Sequence, residues 1–298
     1  MHTAMTTSSV LTIGNFDGIH IGHRHLIETT IALARASGAE AILLTFSPHP
    51  RQFIAPCRHF FIVPETEKHH ILGNLGLDAV IYLDFAVMKS LSPGDFLTKA
   101  ILPLSPCAIV LGENYIFGHN RSGDISTLRS LCLPYGISVH SLSMQPWGGG
   151  AVSSTRIRQA ILQGDMASAA AMLGRPYTMR GIVERGAGRG HTLGFATANI
   201  RASDQVLPPL GVYATYARVG ETATRLPAVT AVTRTPTFQA VDAVVETHIL
   251  DYDQSIYGQT ISVEFISKLR DETTFSSKDA LIEQIRTDCC LARAVLSG

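Results

Sequence analysis

Gly14-Asn15-Phe16-Asp17-Gly18-Ile19-His20-Ile21-Gly22-His23 follows the apolar run Val10-Leu11-Thr12-Ile13 and precedes an amphipathic stretch. The order is strand, turn, helix, and it sets both histidines at the junction. Such a junction presents backbone N–H groups and the positive end of a helix dipole, a combination suited to phosphate. An imidazole pair there is placed to steady charge that builds on a phosphorus under attack. In an open α/β sheet, ligands bind at the carboxyl ends of strands, which is where this segment falls.

Working outward, the first half alternates short apolar runs with helix-spaced segments. Residues 41–46, 79–83, 108–111 and 137–142 read as buried strands bounded by Gly, Pro or Asp. Between them, residues 25–37, 65–75 and 94–101 carry helical spacing, and two further helices are expected over 154–163 and 166–173. This alternation implies βαβ units and a parallel sheet. After Gly174-Arg175-Pro176 the texture changes to strands rich in Val, Ile, Thr and Tyr, at 177–183, 211–219, 228–232, 243–250 and 260–266. A small antiparallel barrel fits that half, closed by a helix from about Ser277 to Leu296 with Asp279 in its first turn. Gly148-Gly149-Gly150 reads as a flexible loop beside a phosphate site.

The chain has 298 residues, 46% of them hydrophobic, enough for two cores. Lys plus Arg and Asp plus Glu balance at 24 each, so no net field favours nucleic acid or an acidic membrane. No apolar run approaches the roughly 18 residues of a membrane span, and the N-terminus lacks a signal pattern. A cytoplasmic protein with small-molecule partners is expected, and a weak homo-oligomer is compatible with this composition. The five cysteines (Cys57, Cys107, Cys132, Cys289 and Cys290) lack C-x-x-C spacing, which argues for free thiols. His69 and His70 read as part of a solvated helix, not as metal ligands.

The segment GNFDGIHIGH resembles the H-x-G-H signature of the nucleotidyltransferase superfamily and, more narrowly, the FMN adenylyltransferase module of bacterial bifunctional riboflavin kinase/FAD synthetases. Further segments match that family in order. Thr45 to Pro50 resembles T-F-x-P-H-P, and Gly112 to Gly118 with Arg121-Ser122-Gly123-Asp124 resembles G-x-D-F-x-F-G…R-x-G-D. Val152 to Arg158 resembles I-S-S-T-x-I-R. The resemblance implies a Rossmann-like N-terminal domain over 1–174 that moves an adenylyl group from ATP to FMN, giving FAD and pyrophosphate. By that resemblance His20 and His23 act on the α-phosphate. Gly14, Asn15, Phe16, Asp17, Gly22, Gly112 and Asn114 shape the nucleotide pocket, and Ser153, Ser154, Thr155, Arg156 and Arg158 hold the pyrophosphate with Mg²⁺. His49 and Arg121 are assigned to the flavin phosphate side. Asn114 stands where the family carries Asp.

The second half, 175–298, resembles a riboflavin kinase barrel. Residues 185–200, RGAGRGHTLGFATANI, resemble G-x-x-x-G-R-T-L-G-F-P-T-A-N-I, residues 207–213 resemble L-P-x-x-G-V-Y, and Glu246 to Asp251 resembles E-x-H-x-x-D. The resemblance implies that Thr197 and Asn199 bind Mg-ATP, that Gly186 and Gly190 let backbone approach the phosphates, and that Glu246 is the general base on riboflavin. It also implies that Arg270 lies at the flavin-binding end. Departures gather here: Ala196 replaces Pro, His191 replaces Arg, and Ala231, Thr233 and Thr235 alter the N-I-G-x-R-P-T-F segment. The expected fold is therefore α/β plus β, and the expected function is FAD biosynthesis with riboflavin phosphorylation in the second half. An adenylyltransferase whose barrel only binds flavin or a modified flavin is the alternative.

Overall fold

The computed structural model describes residues 8–185, 195–201, 204–236 and 241–297. The chain forms two compact units: Met1–Cys57 with Glu65–Ser153, and Arg58–Pro64 with Ser154–Gly298. The short segment Arg58–Pro64 joins the second unit through a parallel bridge from Phe61 to Gln205 and a hydrogen bond from Gln205 Nε2 to the Ile62 carbonyl.

The first unit contains β1 (Ser9–Ile13), α1 (Ile21–Ser37), β2 (Glu40–Ser47), α2 (Pro50–Ile54), α3 (Glu65–Gly73), β3 (Ala79–Asp84), α4 (Phe85–Met88), α5 (Pro93–Phe96), β4 (Pro106–Gly112), α6 (Ile125–Cys132) and β5 (Ser138–Leu142). Its parallel sheet has the order β3-β2-β1-β4-β5. Alternation along the strands fills both faces. Leu11, Ile13, Ile42, Leu44, Ile109 and Leu111 form one core, whereas Val10, Ala41 and Val110 meet Ala34 on the other side. The order reverses between β1 and β4, so loops leaving those two strands diverge at a topological switch point.

Two local differences from the sequence reading have clear causes. Helix α1 begins at Ile21, ahead of the expected residue 25, because His20 adopts extended backbone and caps it. The glycine run forms the turn of a hairpin between β6 (Pro146–Trp147) and β7 (Gly150–Ala151), in place of the expected loop. Gly148 and Gly149, at φ 53° and 76°, supply the positive φ that a tight two-residue turn requires.

The second unit contains α7 (Ser154–Gln163), α8 (Met166–Leu173), β8 (Tyr177–Glu184), β9 (Ala198–Arg201), β10 (Gly211–Val219), β11 (Leu226–Pro236), β12 (Val241–Ile249), β13 (Thr260–Arg270) and α9 (Lys278–Leu296). Strands β10-β11-β12-β9-β8-β13 close into an antiparallel barrel. Tyr177, Tyr213 and Phe265 are fully buried within it, and the hydroxyls of Thr215, Thr230 and Thr247 form a buried chain at 2.8 and 3.0 Å. Helix α9, capped by Ser277, lays Ala292 and Leu296 against Val212, Ala214 and Val229. All five cysteines are free thiols. Among the described residues no helix is long and apolar enough to cross a membrane.

Candidate active sites

The first candidate site is built on the turn between β1 and α1. Gly14 N–H donates to the Leu44 carbonyl at 3.1 Å, extending the β1–β2 ladder into the turn. The chain then passes through Phe16 at φ 50°, Gly18 at 84° and Ile19 at 42°. A bulky or β-branched residue in the left-handed region costs about 1–3 kcal/mol and persists only where surroundings over-determine it. Here burial does so: Phe16 and Ile19 are fully enclosed with Ile27, Leu43 and Leu72.

This anchored turn delivers the histidines as a pair. His20 caps α1, its Nδ1 accepting the His23 backbone N–H at 3.2 Å, and the two rings stack with centroids 3.6 Å apart. Because Nδ1 of His20 is an acceptor, Nε2 is the nitrogen that carries the proton. Phe16 meets His23 edge-on at 5.1 Å. The Nδ1 of His23 is buried without a hydrogen-bond partner. Burial, then the neighbouring His20, then Lys68 hold the His23 imidazole well below 6.5, so it is neutral at pH 7. The glycine between the histidines has a steric purpose: a Cβ on Gly22 would lie 3.2 Å from His20 Cε1 and 3.3 Å from its Nδ1.

Other expected residues ring the same sheet edge. Asp17 is 3% exposed in the turn itself. After β2, His49 is buried and caps α2, its Nδ1 accepting Arg51 N–H at 3.2 Å. After β4, Gly112 leads into exposed Asn114, on the β4 side of the switch point that the histidine turn occupies from β1. Arg121 is exposed at φ 60°, and Asp124 two residues beyond Ser122 caps α6. Hydrogen bonds from Thr127 N–H and from the Ser126 and Thr127 hydroxyls pull Asp124 down to about 2.

Ser153 ends the first unit, and Ser154, Thr155, Arg156 and Arg158 open the second on α7. Arg158 donates from Nε to the Phe60 carbonyl at 2.9 Å and lies 4.1 Å over the Phe60 ring.

The second candidate site lies on the outer face of the barrel. Asn199 pairs with Glu246 in the β9–β12 ladder and with Glu184 in the β8–β9 ladder. Their neighbours Val183, Ile200, Val245 and Thr247 are buried inside, so Asn199, Glu246 and Glu184 point outward in one row. Thr197 precedes β9 in a turn whose Ala196 carbonyl lies 2.8 Å from His248 Nδ1, with Phe195 edge-on to the same ring. Gly186, Gly190 and His191 lie outside the described residues, as does Phe238. Arg270 forms a bidentate pair with Asp288 on α9, Nε to Oδ1 at 2.9 Å and one terminal nitrogen to Oδ2 at 2.8 Å. Among the described residues no group of three or more His, Cys, Asp and Glu side chains could hold a metal ion. Thr197 and Asn199 instead offer neutral hydroxyl and amide oxygens, hard donors that suit Mg²⁺ alongside nucleotide phosphates.

Sequence reasoning missed Lys68. It is 3% exposed on α3, four residues before buried Leu72, and its ammonium reaches the Asn15 carbonyl and Thr45 Oγ1. The available signal was a lysine on the apolar stripe of an otherwise solvated helix.

A switch-point histidine turn on a parallel sheet, joined to a barrel that aligns an amide with a carboxylate, defines a two-module nucleotide-dependent transferase. The FAD synthetase family model matches residues 2–156 and the riboflavin kinase model residues 173–296. The chain is 32% identical over 300 residues to the bifunctional riboflavin kinase/FMN adenylyltransferase of Listeria monocytogenes, covering 97% of this chain and 94% of that protein. The enzymes of the same name from Escherichia coli K12 and Bacillus subtilis are each 33% identical, over 95% and 94% of this chain and 91% and 90% of theirs. A solved structure titled a macrolide-efflux protein from Streptococcus pneumoniae superposes with a TM-score of 0.88 at 31% identity, covering 97% of this chain and 95% of that one. The chain belongs to the bifunctional riboflavin kinase/FMN adenylyltransferase family.

Proposed function

We propose that this chain makes FAD in two steps, riboflavin to FMN on residues 175–298 and FMN to FAD on residues 1–174, with Mg-ATP as donor in both. The observation that carries the reading is the paired His20 and His23 at the switch point, joined in one chain to the Asn199–Glu246 row.

In the adenylyl transfer, an FMN phosphate oxygen forms a bond to the α-phosphorus of ATP in line as the bond to the bridging oxygen of pyrophosphate breaks. Little covalent chemistry falls to the protein, which positions the groups and stabilises charge. His23, held neutral, and His20, whose Nε2 carries a proton, stabilise the charge on the α-phosphate oxygens. Gly14, Asn15, Phe16, Asp17, Gly22, Gly112 and Asn114 form the nucleotide pocket. Ser153, Ser154, Thr155, Arg156 and Arg158 take the departing pyrophosphate, and His49 and Arg121 the flavin phosphate side. In the kinase step, the Glu246 carboxylate accepts the proton of the riboflavin 5′-hydroxyl as that oxygen attacks the γ-phosphorus and ADP leaves. Thr197 and Asn199 would hold Mg²⁺, which supplies charge neutralisation across the phosphates when bound. Arg270 serves the flavin end by fixing α9 through Asp288.

A chain whose barrel binds flavin without phosphorylating it is favoured by Ala196, His191, Ala231, Thr233 and Thr235. The bond between His248 and the Ala196 carbonyl weighs against it, since it fixes the turn that Pro would otherwise preset. Transport has no support here, because the barrel interior is filled by Tyr177, Tyr213 and Phe265. Balanced charge and free thiols support a cytoplasmic enzyme of small molecules.

Chromatography of reactions with Mg-ATP and either riboflavin or FMN tests the reading. FAD from both substrates is expected. FAD from FMN alone selects the barrel-as-binder alternative, and FAD from neither overturns the proposal.

A further inference from the structure

Lys68 is a buried cation whose hydrogen bonds go to neutral oxygens, while the carboxylates of Glu65 and Asp17 act on it through charge alone. Its ammonium sits under the carboxyl ends of β1 and β2, 3.4 Å from the Asn15 carbonyl and 3.4 Å from Thr45 Oγ1, both neutral oxygens. Thr45 Oγ1 also donates to the Asn15 carbonyl at 3.3 Å, so one peptide oxygen at the head of the histidine turn takes two donors from below. The rest of the setting is polar and enclosed: Tyr82 lies 5.4 Å from the ammonium, and the buried Tyr82 hydroxyl and Glu65 Oε1 have no hydrogen-bond partners. A lysine is seldom buried unless paired, because desolvation costs several kcal/mol. A structural role alone is met more cheaply by an apolar side chain of the same length.

We propose that Lys68 is a positioning residue of the adenylyl-transfer site, its ammonium fixing the Asn15 carbonyl and with it the turn that carries Phe16, Asp17, His20 and His23. This inference rests on the adenylyltransferase reading above. The connection runs through a single short path: Asn15 is followed by Phe16, whose left-handed backbone and buried ring set the approach of the stacked imidazoles. Charge acts in the same direction as geometry. Burial, then His20 from the turn and Lys68 from α3, disfavour a cationic His23; burial also lowers the Lys68 ammonium, and Glu65 and Asp17, which face it, oppose that lowering. Lys68 thus orients the pair and adds to what keeps His23 neutral, without touching substrate.

The test uses the full-length enzyme with Lys68→Met, which removes charge and hydrogen bonds, and Lys68→Gln, which removes only the charge. Displacing a catalytic group by about 1 Å costs on the order of 10²-fold, so Lys68→Met is expected to lower kcat for FMN adenylylation by about that factor with a much smaller change in KM for ATP. A KM for ATP close to wild type in FMN adenylylation, together with the denaturant midpoint of the first unit, serves as the folding control. Histidine ring NMR, with His23 assigned by loss of its signal in His23→Gln, is expected to show the His23 titration moving to higher pH in both variants, and in Lys68→Gln, which keeps the side chain in place, the movement reports the lost charge. A wild-type kcat in folded Lys68→Met, or a wild-type His23 titration in Lys68→Gln, overturns the inference. If Lys68→Met does not fold, the Lys68→Gln titration decides alone. If the wild-type chain forms no FAD from FMN, the parent reading fails while the ring titration still reports on Lys68.

Discussion

Asn199 and Glu246 face each other directly across the β9–β12 ladder, so an amide and a carboxylate leave the barrel side by side. Directly opposed residues have Cβ atoms about 4.5–5.5 Å apart, close enough for one to hold a nucleotide-bound ion while the other takes a proton from an adjacent hydroxyl. Glu246→Gln keeps the shape and removes the base. Riboflavin phosphorylation is expected to fall by about 10²–10⁴-fold while FMN adenylylation is unchanged. Separate steady-state assays of the two steps check this, and equal loss of both would show a folding defect.

Gly22 leaves the space that His20 occupies. A methyl group there meets the imidazole at 3.2 Å, and His20 has little room to yield because it is 6% exposed and stacked on His23. Gly22→Ala is expected to lower FMN adenylylation by about tenfold or more, through displacement of well under 1 Å, and to leave riboflavin phosphorylation intact. Wild-type adenylylation in the variant would mean that the ring position is not critical.

The parallel sheet, the barrel and the histidine turn were legible in the sequence because each rests on local pattern. Apolar runs at 41–46 and 108–111 and the Ser277 cap need only neighbours along the chain. Three features were not legible, and each depends on residues far apart. Strand β9 was hidden within a Gly-rich motif and becomes a strand only by pairing with β8 and β12. Lys68 reads as a surface lysine until its reach to Asn15, 53 residues away in sequence, is known. The partner of Arg270 is hidden in the same way, since its guanidinium is bidentate on Asp288, 18 residues further on.

Ala196 tests how much the turn before Thr197 depends on Pro. The His248 bond uses the residue 196 carbonyl, which Pro retains, so Ala196→Pro leaves that contact in place. Pro at a compatible position stabilises by about 0.4–1 kcal/mol through the unfolded state. Ala196→Pro is expected to lower KM for ATP in the kinase step two- to several-fold, consistent with that energy. A rise in KM would show that the local φ does not match Pro.

His23 makes the first unit sensitive to acid. Its folded-state value lies well below 6.5 because burial, His20 and Lys68 all disfavour the cation. The unfolded chain therefore binds more protons once pH drops below 6.5, and the stabilising contribution, fully present above that value, is lost as pH falls toward the folded one. Denaturant midpoints of the first unit are expected to fall between pH 6.5 and 5, a range anchored on the ordinary histidine value, and to fall less in His23→Gln. A pH-independent midpoint across that range in the wild type would contradict the burial of an uncharged imidazole.

Asp288 is 2% exposed and accepts from Arg270 and from Gln284 Nε2 at 2.9 Å, which ties α9 to the end of β13. Removing one partner of a fully buried pair costs about 3–5 kcal/mol, and because the Arg270 side chain that remains is 22% exposed the cost here falls at the lower end of that range. Asp288→Ala is expected to destabilise the second unit by about that amount, whereas the double variant Arg270→Met/Asp288→Ala recovers part of the loss. Chemical denaturation of the four proteins of the cycle gives the coupling. The same cycle separates structure from binding: if Arg270 serves flavin by holding α9, Asp288→Ala raises KM for riboflavin as much as Arg270→Met does. A KM raised only by Arg270→Met would instead assign the guanidinium to the flavin itself.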